Sequence, residues 1–355
     1  MTIASLPIDA KLGLERVHNA ISNQLPIKEK LEISTGYAIN IHITDYSQPL
    51  LFTFDNLHIS RNMEGTTFEH RKGWGYDYVV DKGWNICAFL ESDYTRWYRH
   101  PSFIAIMKYI ESKGLFRNYE SKKITYGSSM GGYAAATYTK ALSADVSILF
   151  NPCSTLNTTL VPWESRESYS APCNNWESDY YDATDGCLSS NNYIIYDPTF
   201  KLDYLHVNRF IKKCAKNIQI RVPGVGHSIP SHLTKINALD LMLDSIVTNN
   251  YLSSKPKIFE SLKKRRHYIG YHRFMLSLNP QMTDTRKQVV MEYCLTMLRD
   301  KYPEPRHESF FFRDASDLYA FYDKDMALTF IKKAATLKPD CPKINKRLNT
   351  LLSVD

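Results

Sequence analysis

Apolar, β-branched runs punctuate the chain up to about residue 222, and polar or helix-forming stretches separate them. Residues 37–44 (YAINIHIT) alternate apolar and polar positions, the period of a strand. Residues 49–54 (PLLFTF) form a continuous apolar run that ends at Asp55 and Asn56. Further runs follow at 84–90 (WNICAFL), 124–126 (ITY), 145–150 (DVSILF), 193–196 (YIIY) and 218–222 (IQIRV). Continuous runs of this kind suit strands buried on both faces. Residues 101–113, 132–142 and 204–216 have helical character, and each lies between two strands, as right-handed crossovers require. The pattern predicts an α/β fold, a doubly wound and mostly parallel sheet with helices on both faces.

Two stretches depart from that rhythm. Residues 151–192 connect two predicted strands but are far longer than an ordinary connection. They are rich in aromatics, among them Trp163, Tyr169, Trp176, Tyr180 and Tyr181. This insertion is either a surface excursion packed on itself or a lid over a site at the strand ends. After Thr248 the β-runs stop and 255–352 read as helices. Ala327, Ala334 and Pro339 are spaced as in a tetratricopeptide helix pair. A single such unit cannot bury its own face, so it should pack on the main domain or on a protein partner. The expected organisation is an α/β domain over 1–250, with a lid-like insertion at 151–192, and a helical, tetratricopeptide-like region over 251–355.

Composition narrows the class. The chain has 355 residues, 43% hydrophobic and 23% charged, as in ordinary globular proteins. Its seven cysteines form no C-x-x-C pair, which argues against a zinc site or a disulfide framework. The first 35 residues mix charged and apolar positions without the apolar core of a signal peptide. No apolar run approaches the ~20 residues of a membrane span, so the expected location is cytoplasmic. The formal charge of +7 is concentrated after residue 250, with roughly 20 Lys/Arg against about 12 Asp/Glu. The one dense basic cluster, Lys263-Lys264-Arg265-Arg266, reads as a solvated helix face, and nucleic-acid binding is not expected.

The chemistry is concentrated at Gly127-Ser128-Ser129-Met130-Gly131, a G-x-S-x-G turn between an apolar strand and an Ala-rich helix. That context is the one a nucleophile elbow requires. The glycines leave room for a tight turn, and Ser129 is held in a strained conformation that lifts its hydroxyl above the sheet. A serine hydroxyl needs a base. His227 follows the 218–222 run in a Gly-rich turn, in the order Ser, acid, His. Two acids compete for the loop after 193–196. Asp197 stands at the strand end, and Asp203 stands where it would cap a helix; Asp197 is favoured because capping already accounts for Asp203. Met130, after the nucleophile, should supply one oxyanion N–H, and the loop at Asp55, Asn56 or Leu57 the other. Trp97, Tyr98 and Arg99, with Trp163 from the insertion, are candidates for holding a sugar ring or an anionic group. The competing reading of residues 97–100 is a helix lead-in packed beneath the insertion. Residues 182–186 carry a faint calcium-loop pattern without its bidentate Glu, and no metal or cofactor is expected.

These motifs over residues 34–247 resemble the α/β-hydrolase superfamily. More narrowly, GSSMGGYAA, the Asp-then-His order and the aromatic insertion resemble bacterial serine esterase/acyltransferase-like proteins associated with surface polysaccharides or glycoproteins. The chain departs from the superfamily in lacking an HGGG oxyanion motif. The resemblance implies a serine esterase acting on a carbohydrate-linked acyl ester, or an O-acyltransferase that passes the acyl group to a glycan. A third expectation is an inactive scaffold that binds a partner through its helical tail.

Overall fold

The computed structural model describes residues 7–34, 36–57, 67–166, 174–188, 190–264, 283–320 and 323–353. The expectations attached to Tyr169, Cys173, Arg265 and Arg266 lie outside the described residues. The chain forms two compact units: Met1–Val222 with His227–Ile258, and Phe259–Asp355 with Pro223–Gly226.

The first unit is built on one sheet of eight strands: β1 Ile27–Ser34, β2 Tyr37–Ile43, β3 Leu50–Phe54, β4 Asn85–Glu91, β5 Lys123–Ser128, β6 Val146–Phe150, β7 Asn191–Tyr196 and β8 Asn217–Arg221. Their order across the sheet is β1-β2-β4-β3-β5-β6-β7-β8. β2 is antiparallel to both of its neighbours, and the pairs from β4 to β8 are parallel. This is the α/β arrangement expected, a single mostly parallel sheet with one antiparallel strand pairing on each side of β2. Helices α1 Ile8–Ser22, α2 Tyr76–Asp81, α3 Pro101–Lys113, α4 Met130–Thr137, α5 Ala183–Gly186, α6 Lys201–Lys213, α7 Ile229–Lys235 and α8 Leu239–Val247 complete the order.

The central strands β3, β4, β5 and β6 are buried at every position, which explains their unbroken apolar runs. α3 begins at Pro101, which has no N–H to orphan, and ends at Gly114 in the left-handed region. α1 and β1 are elements that the hydropathy pattern does not reveal. α1 buries Ala10, Leu14, Val17 and Ile21 at helical spacing, while β1 (IKEKLEIS) buries Leu31 and Ile33 and turns charge outward.

The insertion is tied down through several backbone carbonyls. Arg99 donates to Asp179 O at 2.6 Å and Asn175 O at 2.5 Å, and Tyr133 Oη donates to Tyr180 O at 2.7 Å. At Gly186 it approaches the α4 backbone, where a Cβ would lie 2.1 Å from Thr137 O.

The second unit is helical. It contains α10 Asp284–Lys301, α11 Glu308–Tyr319, α12 Lys324–Leu337 and α13 Pro342–Leu352; α9 spans Tyr251–Lys263. Met291, Cys294, Leu298, Phe311, Ala315 and Leu318 form one core cluster. Ala327, Ile331, Ala334, Ile344 and Leu351 form another. No described helix is long and apolar enough to cross a membrane.

Candidate active site

Strand β5 runs into the turn at Gly127–Gly131, and α4 starts at Met130. Ser129 has φ 57° and ψ −118°, a conformation that costs a non-glycine residue of order 1–3 kcal/mol. Surrounding contacts impose it. Ser129 N–H donates to Phe150 O at 3.1 Å, and Ser129 O accepts from Tyr133 N–H at 2.9 Å. A Cβ on Gly127 would lie 2.1 Å from Gly131 O, and one on Gly131 would lie 2.6 Å from Phe54 O. Both glycines are therefore fixed by close backbone approach.

His227 Nε2 lies 2.9 Å from Ser129 Oγ. His227 Nδ1 lies 2.7 Å from Asp203 Oδ2. A neutral imidazole that donates from Nδ1 to the carboxylate presents Nε2 as acceptor to the serine hydroxyl, the polarity a general base requires. Asp203 is buried and His227 is about one-third exposed, so the base stands between protein interior and solvent.

The acid preferred from sequence is corrected. Asp203, not Asp197, reaches His227. Asp197 Oδ1 instead accepts from Thr199 N–H at 2.9 Å and from Thr199 Oγ1 at 2.7 Å, a closed turn at the strand end. Nor is Asp203 the helix cap: Phe200 holds that position, and Asp203 lies in the first turn of α6 with its carboxylate turned inward.

Met130 is the first residue of α4, so its N–H has no intrahelical acceptor and lies next to the nucleophile. Asp55 is corrected as an oxyanion donor because its N–H is already given to Phe89 O at 3.3 Å. Its carboxylate braces the neighbouring loop. Oδ1 accepts from Trp74 N–H at 2.9 Å, and Oδ2 pairs with buried Arg71. Burial pushes the Asp55 carboxyl up to about 6, against the opposing pull of Arg71. Asn56 and Leu57 follow and line the cavity at Ser129.

That cavity has a volume of about 320 Å³ and is lined by Asn56, Leu57, Trp74, Ser128, His227, Ser228, Pro230 and Ser231 beside the nucleophile. Trp74 is a site residue that the sequence reading missed. It sits between Gly73 and Gly75, both at positive φ, and stacks on Tyr126 with centroids 4.6 Å apart. The Lys-Gly-Trp-Gly-Tyr turn was the available signal. Asn151 was also missed. Its position directly after β6 was the clue, and its Nδ2 lies 3.0 Å from His227 Nδ1 and 3.3 Å from Nε2.

The residues proposed from sequence to hold substrate lie elsewhere. Trp97 and Tyr98 are fully buried. Trp97 packs edge-on against Tyr133 and Trp176. Tyr98 Oη donates to Phe89 O at 3.1 Å. Arg99 is spent on the carbonyls of the insertion, and Trp163 packs on His206 at 4.6 Å. The helix lead-in reading of residues 97–100 is the one the packing supports: large rings adjoining a long insertion are drawn into its base. None of the described residues of the insertion lines this cavity. Asp182, from the calcium-like segment, pairs with Arg209 and Lys213, and no cluster of described residues is suited to a metal ion.

No protein-family model matches the chain, and no curated protein sequence matches it. Solved structures do resemble it. An esterase from Pyrobaculum calidifontis is 12% identical, with 72% of this chain and 94% of that one covered and a TM-score of 0.37. The esterase Est2 from Thermogutta terrifontis is 14% identical over 63% of this chain and 92% of its own, at a TM-score of 0.40. The capsule O-acetyltransferase of Neisseria meningitidis serogroup A is 13% identical over 62% and 94%, at 0.42.

Proposed function

We propose that this chain is a serine ester hydrolase or acyltransferase that works through an acyl-enzyme. The observation that carries this reading is the aligned contact series Ser129 Oγ–His227 Nε2–Asp203 on a strained elbow, at 2.9 and 2.7 Å. Ser129 Oγ attacks the acyl carbonyl while His227 Nε2 takes its proton. Asp203 stabilises the imidazolium. The N–H of Met130, with that of Asn56 or Leu57, receives the negative charge that develops on the carbonyl oxygen. His227 then returns the proton to the departing alcohol, and the acyl group stays on Ser129. Water or a second hydroxyl, deprotonated by the same histidine, accepts the acyl group.

The substrate reading is a small acyl group on a neutral carbohydrate. Its support is the lining: one aromatic face, at Trp74, surrounded by Asn56, Ser128, Ser228 and Ser231 with no Lys, Arg, Asp or Glu among the described residues there. A ring face with polar donors at its margin suits a polyhydroxylated ring. About 320 Å³ is room for one sugar and a short acyl chain.

Labelling with a fluorophosphonate tests the enzyme reading. The folded protein is expected to be labelled at Ser129, and Ser129→Ala to lose both labelling and hydrolysis of p-nitrophenyl acetate. Absence of labelling in folded protein would leave the scaffold reading, in which the helical unit binds a partner. Acetyl-ester turnover with and without a sugar acceptor divides hydrolysis from transfer.

A further inference from the structure

The triad acid is itself held by a charged array from the insertion. Asp203 turns one oxygen to His227 and the other, Oδ1, to Arg166 Nη1 at 2.6 Å. Arg166 also makes a fork to Glu164, with Nη2 on Oε2 at 2.6 Å and Nε on Oε1 at 3.1 Å. Glu164 Oε2 in turn lies 2.9 Å from His206 Nε2. Ser154 N–H donates to His206 Nδ1 at 3.1 Å, which fixes the proton of neutral His206 on Nε2 and aims it at Glu164. Side chains of Asp203, His206 and Glu164 are at most 3% exposed. Desolvation lowers the basicity of His206, and its hydrogen bond with those of Arg166 holds the Glu164 carboxyl down at about 2, against burial.

Charge accounting then assigns a purpose to the outermost carboxylate. Arg166 alone would cancel Asp203, and an imidazolium forming at His227 would meet a neutral partner. With Glu164 included, the array carries one net negative charge, which the imidazolium brings to zero. On the triad reading above, we infer that Arg166 and Glu164 are positioning residues: Arg166 fixes the Asp203 carboxylate toward His227, and Glu164 restores the negative charge that Arg166 removes. The insertion thus supports the catalytic acid from behind.

The charged and titratable groups facing His227 are Asp203 directly and Arg166, Glu164 and His206 behind it; Cys153 is a further titratable neighbour of Arg166. Ser129, Asn151 and the ring of Phe200 are its neutral neighbours.

The test is the pH profile of kcat/KM for p-nitrophenyl acetate with wild type, Glu164→Gln, Arg166→Met and Arg166→Lys, each checked for fold by circular dichroism and for fluorophosphonate labelling. Glu164→Gln should move the acidic midpoint down by about one pH unit, because a nearby negative charge is lost. Arg166→Met should move it up, because a positive charge is lost. Both should lower kcat about tenfold or more with KM within about twofold, since a mispoised base costs the transition state rather than binding. Arg166→Lys keeps the charge without the fork, so its midpoint should stay and its kcat fall. A structural lesion would move both midpoints the same way, or neither, and either result overturns the inference while wild-type labelling leaves the triad reading standing. If Arg166→Met fails to fold, the isosteric Glu164→Gln against Arg166→Lys decides. An unlabelled wild type removes the triad reading and this inference together.

Discussion

Gly131 meets the carbonyl oxygen of Phe54 so closely that a Cβ would sit 2.6 Å from it and 3.0 Å from Asp55 O. The first turn of α4 and the end of β3 are thereby locked at the distance that places Met130 beside the Asn56 loop. Gly131→Ala should force the two apart, destabilise the protein by about 1–3 kcal/mol and lower kcat/KM about 100-fold or more. Chemical denaturation and acetyl-ester kinetics measure both. A variant with wild-type activity would mean that the loop donates nothing to the oxyanion.

Asp203→Asn and Asp197→Asn should separate cleanly. The first leaves the amide unable to stabilise the imidazolium and should lower kcat about 10³–10⁴-fold. The second loses part of the turn closed on Thr199 and should cost about 1 kcal/mol of stability with kcat nearly unchanged. Comparable losses of kcat in both variants would contradict the geometry around His227 Nδ1.

Trp74→Ala should raise KM for an acetylated neutral sugar about tenfold, the worth of an aromatic contact, and leave p-nitrophenyl acetate within about twofold. Trp74→Phe should recover most of the loss. An equal loss on both substrates would point to damage to the Asp55–Trp74 turn instead.

Glu91 is buried, and its Oε1 accepts from Tyr37 Oη at 2.7 Å and Tyr98 N–H at 3.1 Å, while Oε2 has no partner among the described residues. Burial pushes its carboxyl up to about 8. In the unfolded chain it ionises near about 4.3, so between those values the folded state holds the extra proton. Stability from this group is complete below about pH 4 and is lost as pH rises to about 8. Glu91→Gln, which cannot ionise, should gain on the order of a few kcal/mol over wild type at pH 8 relative to the difference at pH 4.5. Urea midpoints at the two pH values measure it, and a constant difference would refute it.

The sheet and the elbow were legible because their signals are local. A fully buried strand must be apolar throughout, and a turn without room for a Cβ must carry glycine. β1 was hidden because an edge strand needs only Leu31 and Ile33 on its inner face. The choice between Asp197 and Asp203 was not legible, because it depends on whether the turn after β7 or the first turn of α6 directs its carboxylate to His227. Trp97, Tyr98 and Arg99 show the complementary failure. Aromatic and basic types suit both a sugar site and the underside of an insertion, and only packing distinguishes them.

The outward charge of β1 has a consequence for how copies of this chain meet. β1 lies at the margin of the sheet, where unpaired backbone groups would otherwise template a strand from another molecule. Lys28 and Glu32 are exposed there, and Lys30 Nζ reaches Phe68 O at 2.9 Å and Glu69 O at 2.7 Å. An incoming strand would have to strip water from those charges and displace that lysine. The same eight residues that conceal the strand from a hydropathy reading therefore guard the protein against edge-to-edge aggregation.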